Sequence, residues 1–291
     1  MALKKIIKDL AKTKPDRKFV LTYRILRQRY PSGEDSWGLD LQFLRKIFVK
    51  VWPFYRHYFK VRVFGEEHVP EKGAIVATSN HTGQIALDGA LVTMAFFSDI
   101  KSPRILRPMV ERFVYKTPFV GAWVAALGGI LGDRRNCMAL LKQGEAVLIF
   151  PEGVRGIAKS TSEFYQLQPF GLGFFRMALE AECDILPIAV VGAEEFYPYT
   201  YQARWLAKRL KLPCFPITAN LLPLPSPVDI YIGKPYSVPK DLSKDTSDAA
   251  IAKHVRKIED QIKQMIQEGL EKRRPFALAK RIPGDAERQS N

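Results

Sequence analysis

The sequence predicts an α/β fold: a largely parallel mixed sheet with helices on both faces, preceded by N-terminal amphipathic helices at a membrane surface. Two observations carry the sheet. The apolar runs at 73–78, 146–150 and 185–191 are unbroken rather than alternating, as expected of strands buried on both faces. Segments of helical periodicity lie at 89–97, 136–143 and 172–182, and strands alternating with helices of that length build parallel sheets. A third observation carries the leading helices. Residues 1–12 set Leu3, Ile6, Ile7 and Leu10 on one face against Lys4, Lys5, Lys8 and Lys12. Further on, Leu41, Leu44, Ile47, Phe48 and Val51 share a face opposite Gln42, Arg45, Lys46 and Lys50.

Taken in order, the first helix gives way to a polar loop that runs through Pro31-Ser32-Gly33. Asp40 is placed to cap the second helix and Pro53 to kink or end it. Trp52, Phe54, Tyr55, Tyr58 and Phe59 then interleave with Arg56, His57 and Lys60, a mixture that suits the headgroup layer of a bilayer, although the helix could also pack on its own domain. Residues 61–64 and 104–110 are strand candidates, 113–127 is mostly helical in pattern, and 128–131 is a strand that delivers Arg134 and Arg135 at its end. Residues 200–210 have the pattern of a helix bearing Arg204, Trp205, Lys208 and Arg209, followed by a proline-rich stretch and a late strand at 228–232. Ser247 opens a long helix with Ile251, Val255, Ile258, Ile262, Met265 and Leu270 along one seam, and the tail beyond Ile282 has a disordered composition. The predicted organisation is a membrane-associating segment (1–59), an α/β domain (60–240), and a C-terminal helix with a basic tail (241–291).

Charge narrows the partners. Lys and Arg number 45 against 30 Asp and Glu, a net +15, so the partner surface is anionic: lipid, a phosphorylated substrate or nucleic acid. Cys137, Cys183 and Cys214 are scattered, with no CxxC pair, which suggests a reducing compartment and argues against a structural metal. No run reaches the roughly 18 uncharged apolar residues of a membrane span. The N-terminus lacks the apolar stretch and cleavage site of a signal peptide. The expected location is cytoplasmic and peripheral to a membrane.

The chemistry concentrates at strand ends. His81 sits where the strand at 73–78 gives way to a helix, with Asp88 seven positions on. A neutral imidazole can take a proton from a hydroxyl near pH 7, and a carboxylate on its other nitrogen would hold the tautomer. A helix cap beside a surface histidine is the plainer alternative. Glu152 and Arg155 follow the strand at 146–150, with Gly153 and Gly156 allowing tight turning and close approach of a ligand. Arg155 offers a planar fork for phosphate, and Glu152 could accept from hydroxyls or merely pair with that arginine. Arg134 and Arg135 follow another strand and could equally be solvated surface charge. There is no nucleophile elbow, P-loop or dinucleotide fingerprint.

Four blocks stand in sequence: His81 with Asp88, Gly128 to Arg134, Phe150 to Gly156, and Ile185 to Ile188. Together, over roughly residues 60–238, they resemble the glycerolipid acyltransferase family, the lysophosphatidate acyltransferase-like enzymes. The resemblance implies transfer of a fatty acyl group from acyl-CoA or acyl carrier protein to a glycerolipid hydroxyl. It implies His81 as general base oriented by Asp88, and Arg134, Glu152, Gly153 and Arg155 at the substrate. No metal or bound cofactor and no nucleic acid partner are implied. In the family four residues separate the histidine from the aspartate; here six do, Thr82 to Leu87. Spacing also varies in the branch resembling mono- and diacylglycerol acyltransferases, so the departure bears on the acceptor more than on the reaction. The competing readings are a non-catalytic basic protein that binds anionic lipid, and a lipid or thioester hydrolase.

Overall fold

Strand β2 (Ile75–Ser79) lies at the centre of a seven-stranded sheet in the computed structural model, which describes residues 15, 17–82, 87–210 and 214–274. The other strands are β1 (Arg62–Phe64), β3 (Leu106–Val110), β4 (Ile130–Leu131), β5 (Ala146–Ile149), β6 (Asp184–Val191) and β9 (Asp229–Ile232). Between the last two in chain order, β7 (Thr200–Gln202) and β8 (Pro216–Thr218) form a separate antiparallel ribbon. The spatial order is β1-β9-β6-β2-β5-β3-β4. From β6 to β4 every neighbour is parallel, whereas β9 runs antiparallel to β6 and carries β1 parallel to itself. The largely parallel sheet is therefore present as the unbroken apolar runs imply.

Alternation along the strands splits the core into two layers. Ile75, Ala77, Leu148, Leu186 and Ile188 face one side, Val76, Val147, Ile185, Ala189 and Val191 the other. The first side is covered by α1 (Arg17–Arg29), α2 (Leu41–Pro53) and α3 (Leu87–Ser98). Short helices α4 (Arg112–Lys116) and α5 (Val120–Ala126) follow β3. The second side is covered by α6 (Arg134–Lys142), α8 (Gly173–Glu180) and α10 (Asp248–Glu271), with a one-turn α7 (Val154–Ile157) after β5 and α9 (Arg204–Leu210) after β7.

Several sequence expectations change. The polar loop predicted after the first helix is instead α1. Its buried Phe19, Thr22 and Leu26 keep helical spacing, but exposed Val20, Leu21 and Ile25 and five cations blur the stripe in the sequence. The helix expected at 1–12 lies outside the described residues. Asp40 does cap α2, accepting from the N–H groups of Gln42 (2.8 Å) and Phe43 (3.0 Å). The apolar face of α2, however, is turned to its own domain rather than held free for a bilayer. Leu41, Leu44, Phe48 and Trp52 are buried, and rings from α1, α2 and α3 interlock: Phe19 meets Trp52 at 5.3 Å and Phe97 at 4.8 Å, and Phe48 meets Phe97 at 5.1 Å. Of the interleaved aromatics, Tyr55 and Phe59 are buried too, and Arg56 pairs with Asp99 at 2.5 Å. A sheet face needs a cover, and this stripe supplies it, so residues 17–59 share one core with the sheet.

Three smaller differences follow the same logic. The helical pattern at 113–127 breaks into α4 and α5 around Pro118, with Phe119 at φ +65°. The helix predicted from Thr200 begins as β7, because Tyr201 and Ile217 pair across to a strand inside the proline-rich stretch. Arg134 and Arg135 do not end a strand but open α6, whose first turn is capped by Asp133 accepting from Asn136 N–H at 2.8 Å. The tail from residue 275 lies outside the described residues.

Candidate active site

Parallel strands deliver their C-terminal ends to one edge, and because β2 lies between β5 and β6 the segments after all three converge there. Asn80 extends the β2–β6 pairing past the strand. Its side chain donates to Val190 O at 3.0 Å and accepts from Val190 N–H at 2.8 Å. The next residue, His81, leaves the sheet.

Asp88 lies in the first turn of α3 and is fully buried. Its Oδ2 stands 2.7 Å from His81 Nδ1 and accepts from Thr82 N–H at 2.7 Å, while Oδ1 accepts from Gly89 N–H at 2.8 Å. Six intervening residues therefore do not separate the pair; of these, Gly83 to Ala86 lie outside the described residues. The imidazole stacks on Phe150, the residue just past β5, at 4.0 Å and 17°, so its plane is held by that ring as well as by Asp88.

Glu152 is also buried, and its partners are not those the sequence suggests. Oε1 accepts from the backbone N–H of His81 at 2.7 Å, and Oε2 accepts from Gln168 N–H at 2.8 Å. Its charge partner is Lys159 at 3.1 Å rather than Arg155. Lys159, only 3% exposed, also donates to His81 O and reaches Glu194, both at 3.3 Å. Burial by itself would lower the lysine's pKa, but Glu194 and Glu152 outweigh it and hold the ammonium above its ordinary value. Glu194 is pushed up to about 7, first by burial, against the pull of Lys159. Beyond it, Tyr165 bonds Glu195, and Arg273 grips Glu195 through both oxygens at 2.8 and 2.7 Å.

Two glycines make this packing possible. Gly153 adopts φ +58°, ψ −146°, a region open essentially to glycine alone. A Cβ on Gly156 would stand 2.5 Å from His81 Cβ, so α7 can press on the histidine only through a bare backbone. Gly153 lines a cleft of about 300 Å³ together with His81. Most of the remaining wall is apolar, from Val110, Ile149, Phe150, Val154, Ile157 and Phe174.

The arginines stay outside this centre. Arg155 is exposed, donates to the carbonyls of Pro169 (2.7 Å) and Glu152 (3.4 Å), and makes no ion pair among the described residues. Arg134, on the surface, pairs with Glu180 of α8. Each stands close along the chain to residues of the cleft wall, Arg155 between Val154 and Ile157 and Arg134 two positions after Gly132. Sequence reasoning missed Lys159 and Glu194, and named Phe150 only as the start of its block. The Glu194-Glu195 pair just after an apolar strand was a usable signal; Lys159, seven residues beyond Glu152 in a loop, offered none.

Known proteins resemble this chain in sequence and in fold. The family model described as Acyltransferase matches residues 60–191. An uncharacterized protein of Mycobacterium leprae is 33% identical over 260 residues, covering 84% of this chain and 69% of that one. The Bos taurus protein named "DGAT1/2-independent enzyme synthesizing storage lipids" is 27% identical over 205 residues, 67% of this chain and 60% of that one. In fold, the crystal structure of the 1-acyl-sn-glycerophosphate (LPA) acyltransferase PlsC from Thermotoga maritima superposes with TM-score 0.51 at 17% identity, covering 89% of this chain and 98% of the other.

Proposed function

This chain belongs to the glycerolipid acyltransferase family, and from that premise we propose that it moves a fatty acyl group from a thioester, acyl-CoA or acyl carrier protein, to a hydroxyl of a lysophospholipid or acylglycerol. The observation that carries the reading is the 2.7 Å contact between His81 Nδ1 and Asp88 at the wall of an apolar cleft.

With Nδ1 engaged by the carboxylate, Nε2 is the nitrogen left to accept a proton. The acceptor hydroxyl gives its proton to His81 Nε2 as its oxygen attacks the thioester carbonyl carbon. Asp88 stabilises the imidazolium that forms. The C–S bond then breaks, the sulfur takes the proton back from His81, and the products are an ester and a free thiol. The apolar wall suits the hydrocarbon chain of the donor. Arg155, with no carboxylate partner among the described residues, is the better placed cation for a phosphate of coenzyme A or of the acceptor; Arg134 would first have to leave Glu180. Glu152 and Gly153 shape the site, the first by holding the His81 backbone and the second by its conformation. The work is done at a membrane surface, where donor, acceptor and product partition. Among the described residues no helix is long and apolar enough to cross one.

The test is the purified protein with labelled acyl-CoA and a panel of lysophospholipids, monoacylglycerols and diacylglycerols. Label in an acylated lipid, dependent on the acceptor, supports transfer. Free fatty acid released at the same rate without acceptor would make the protein a hydrolase.

A further inference from the structure

The 33 residues 196–228 contain no Asp or Glu, yet hold Arg204, Lys208, Arg209 and Lys211. In the structure this stretch contains the β7–β8 ribbon and α9, and much of its apolar surface faces water. Tyr201 and Ile217 pair directly across the ribbon, and both are exposed. Trp205 of α9 is 66% exposed, and Leu221 and Leu222, just past β8, are 94% and 61% exposed. Opposite them on α9, Ala207 is buried, so the helix is seated by its small residues and presents its large ones outward. Lys208 and Arg209 share that outer surface and make no ion pair among the described residues. Large apolar side chains left in water at neighbouring positions mark an interaction surface.

We propose that the β7–β8 ribbon, α9 and the bend at Leu221 and Leu222 together form a docking surface for an anionic lipid bilayer. Charge argues for a bilayer over a protein partner. Lys208 and Arg209, in no ion pair among the described residues and set among Trp, Tyr and Leu, match a layer of anionic headgroups above hydrocarbon. Position argues the same way. Ala158 lies in a groove with Gln202, Arg204, Ala207 and Lys208, and its neighbour Ile157 lines the catalytic cleft. Thr161 ties the two parts together, donating to Pro198 O at 2.9 Å and accepting from Thr200 N–H at 3.0 Å. A membrane bound here lies beside the cleft. The advantage of that placement rests on the acyltransferase reading; the binding itself does not.

The experiment is vesicle co-sedimentation of the full chain, with phosphatidylcholine vesicles and with vesicles containing phosphatidylglycerol. The variants are Lys208→Ser with Arg209→Ser, and Leu221→Ser with Leu222→Ser. Lys253→Ser with Lys257→Ser, on exposed positions of α10, removes the same charge elsewhere. We expect the Lys208/Arg209 variant to bind anionic vesicles about thirtyfold more weakly, at roughly fivefold for each cation near the surface. The Leu221/Leu222 variant should weaken binding to both kinds of vesicle, and the Lys253/Lys257 control should bind much more nearly as the parent does. All three should melt at the parent temperature, since every altered side chain is exposed. Equal loss in the α10 control would reduce the effect to net charge and overturn the proposal. So would unchanged vesicle binding by both surface variants, or a dimer in sedimentation analysis that only the Leu221/Leu222 variant dissociates. Assay in detergent micelles separates the two readings. A protein that docks through this surface but transfers no acyl group loses the proposed reaction and keeps the docking site, whereas full transfer with docking unaffected by the variants does the reverse.

Discussion

The backbone N–H of His81 donates to Glu152 Oε1 at 2.7 Å, so the glutamate of the Phe-Pro-Glu-Gly block holds the backbone of the proposed base. Lys159 closes the arrangement by bonding both Glu152 and the His81 carbonyl. The position of the imidazole thus depends on a buried ion cluster whose members lie 71 and 78 residues from it along the chain.

Glu152→Gln tests this. The amide keeps one acceptor for two backbone donors and takes the negative charge from Lys159. Breaking a buried pair by removing one partner costs about 3–5 kcal/mol. The expected outcome is a large fall in Tm together with a fall in kcat, while KM for the donor changes little. A raised KM at normal Tm would place Glu152 at the substrate instead.

His81→Ala should lower kcat by about 100- to 10,000-fold, the usual contribution of a general base. Asp88→Asn should fall nearly as far and, unlike His81→Ala, should also lower Tm, because the carboxylate accepts from Thr82 and Gly89 as well as meeting His81. Steady-state rates and thermal melts of the two variants check both halves. Near-normal turnover by Asp88→Asn would remove the dyad.

Arg155→Lys keeps the charge and loses the planar fork, so KM for the phosphorylated substrate should rise about tenfold with Tm almost unmoved. Arg134→Lys should raise KM less, because Glu180 already occupies that guanidinium. Kinetics against acyl-CoA and against a dephosphorylated donor show which phosphate is read.

Glu194 supplies a pH signature. Its pKa is pushed up from 4.5 to about 7, chiefly by burial, so the folded state binds this proton more tightly than the unfolded chain does. Its contribution to stability is full below about 4.5 and is lost as pH rises through about 7. Urea unfolding across that range should show the parent losing stability relative to Glu194→Gln. Parallel curves would mean that Glu194 titrates alike in the folded and the unfolded chain.

Deleting residues before Lys60 should abolish folding rather than merely release the protein from membranes. The deletion strips Phe19, Leu26, Leu41, Leu44, Phe48, Trp52 and Tyr55 from the core and leaves buried Arg107 without Asp35. Seven buried side chains at about 1.5–3 kcal/mol each rival the whole stability of a domain, about 5–15 kcal/mol. Circular dichroism of the truncated chain is the measurement.

The sheet was legible in the sequence, because strands buried on both faces must be apolar throughout, and 73–78, 146–150 and 185–191 are. The sequence also marked His81 and Glu152 as neighbours of strand ends, since turns there need glycine and polar residues, and Asp88 as the acid seven positions past His81. What those groups touch was set by the packing of distant segments. Whether Glu152 meets Arg155 three residues away or Lys159 seven away depends on how the loop after α7 folds over His81, and local periodicity carries no trace of that. The same holds for α2: its amphipathic stripe requires an apolar partner but does not name one. A sheet face and a bilayer satisfy the stripe equally, and only the assembled sheet, with a bare side to cover, determined that the helix turns inward.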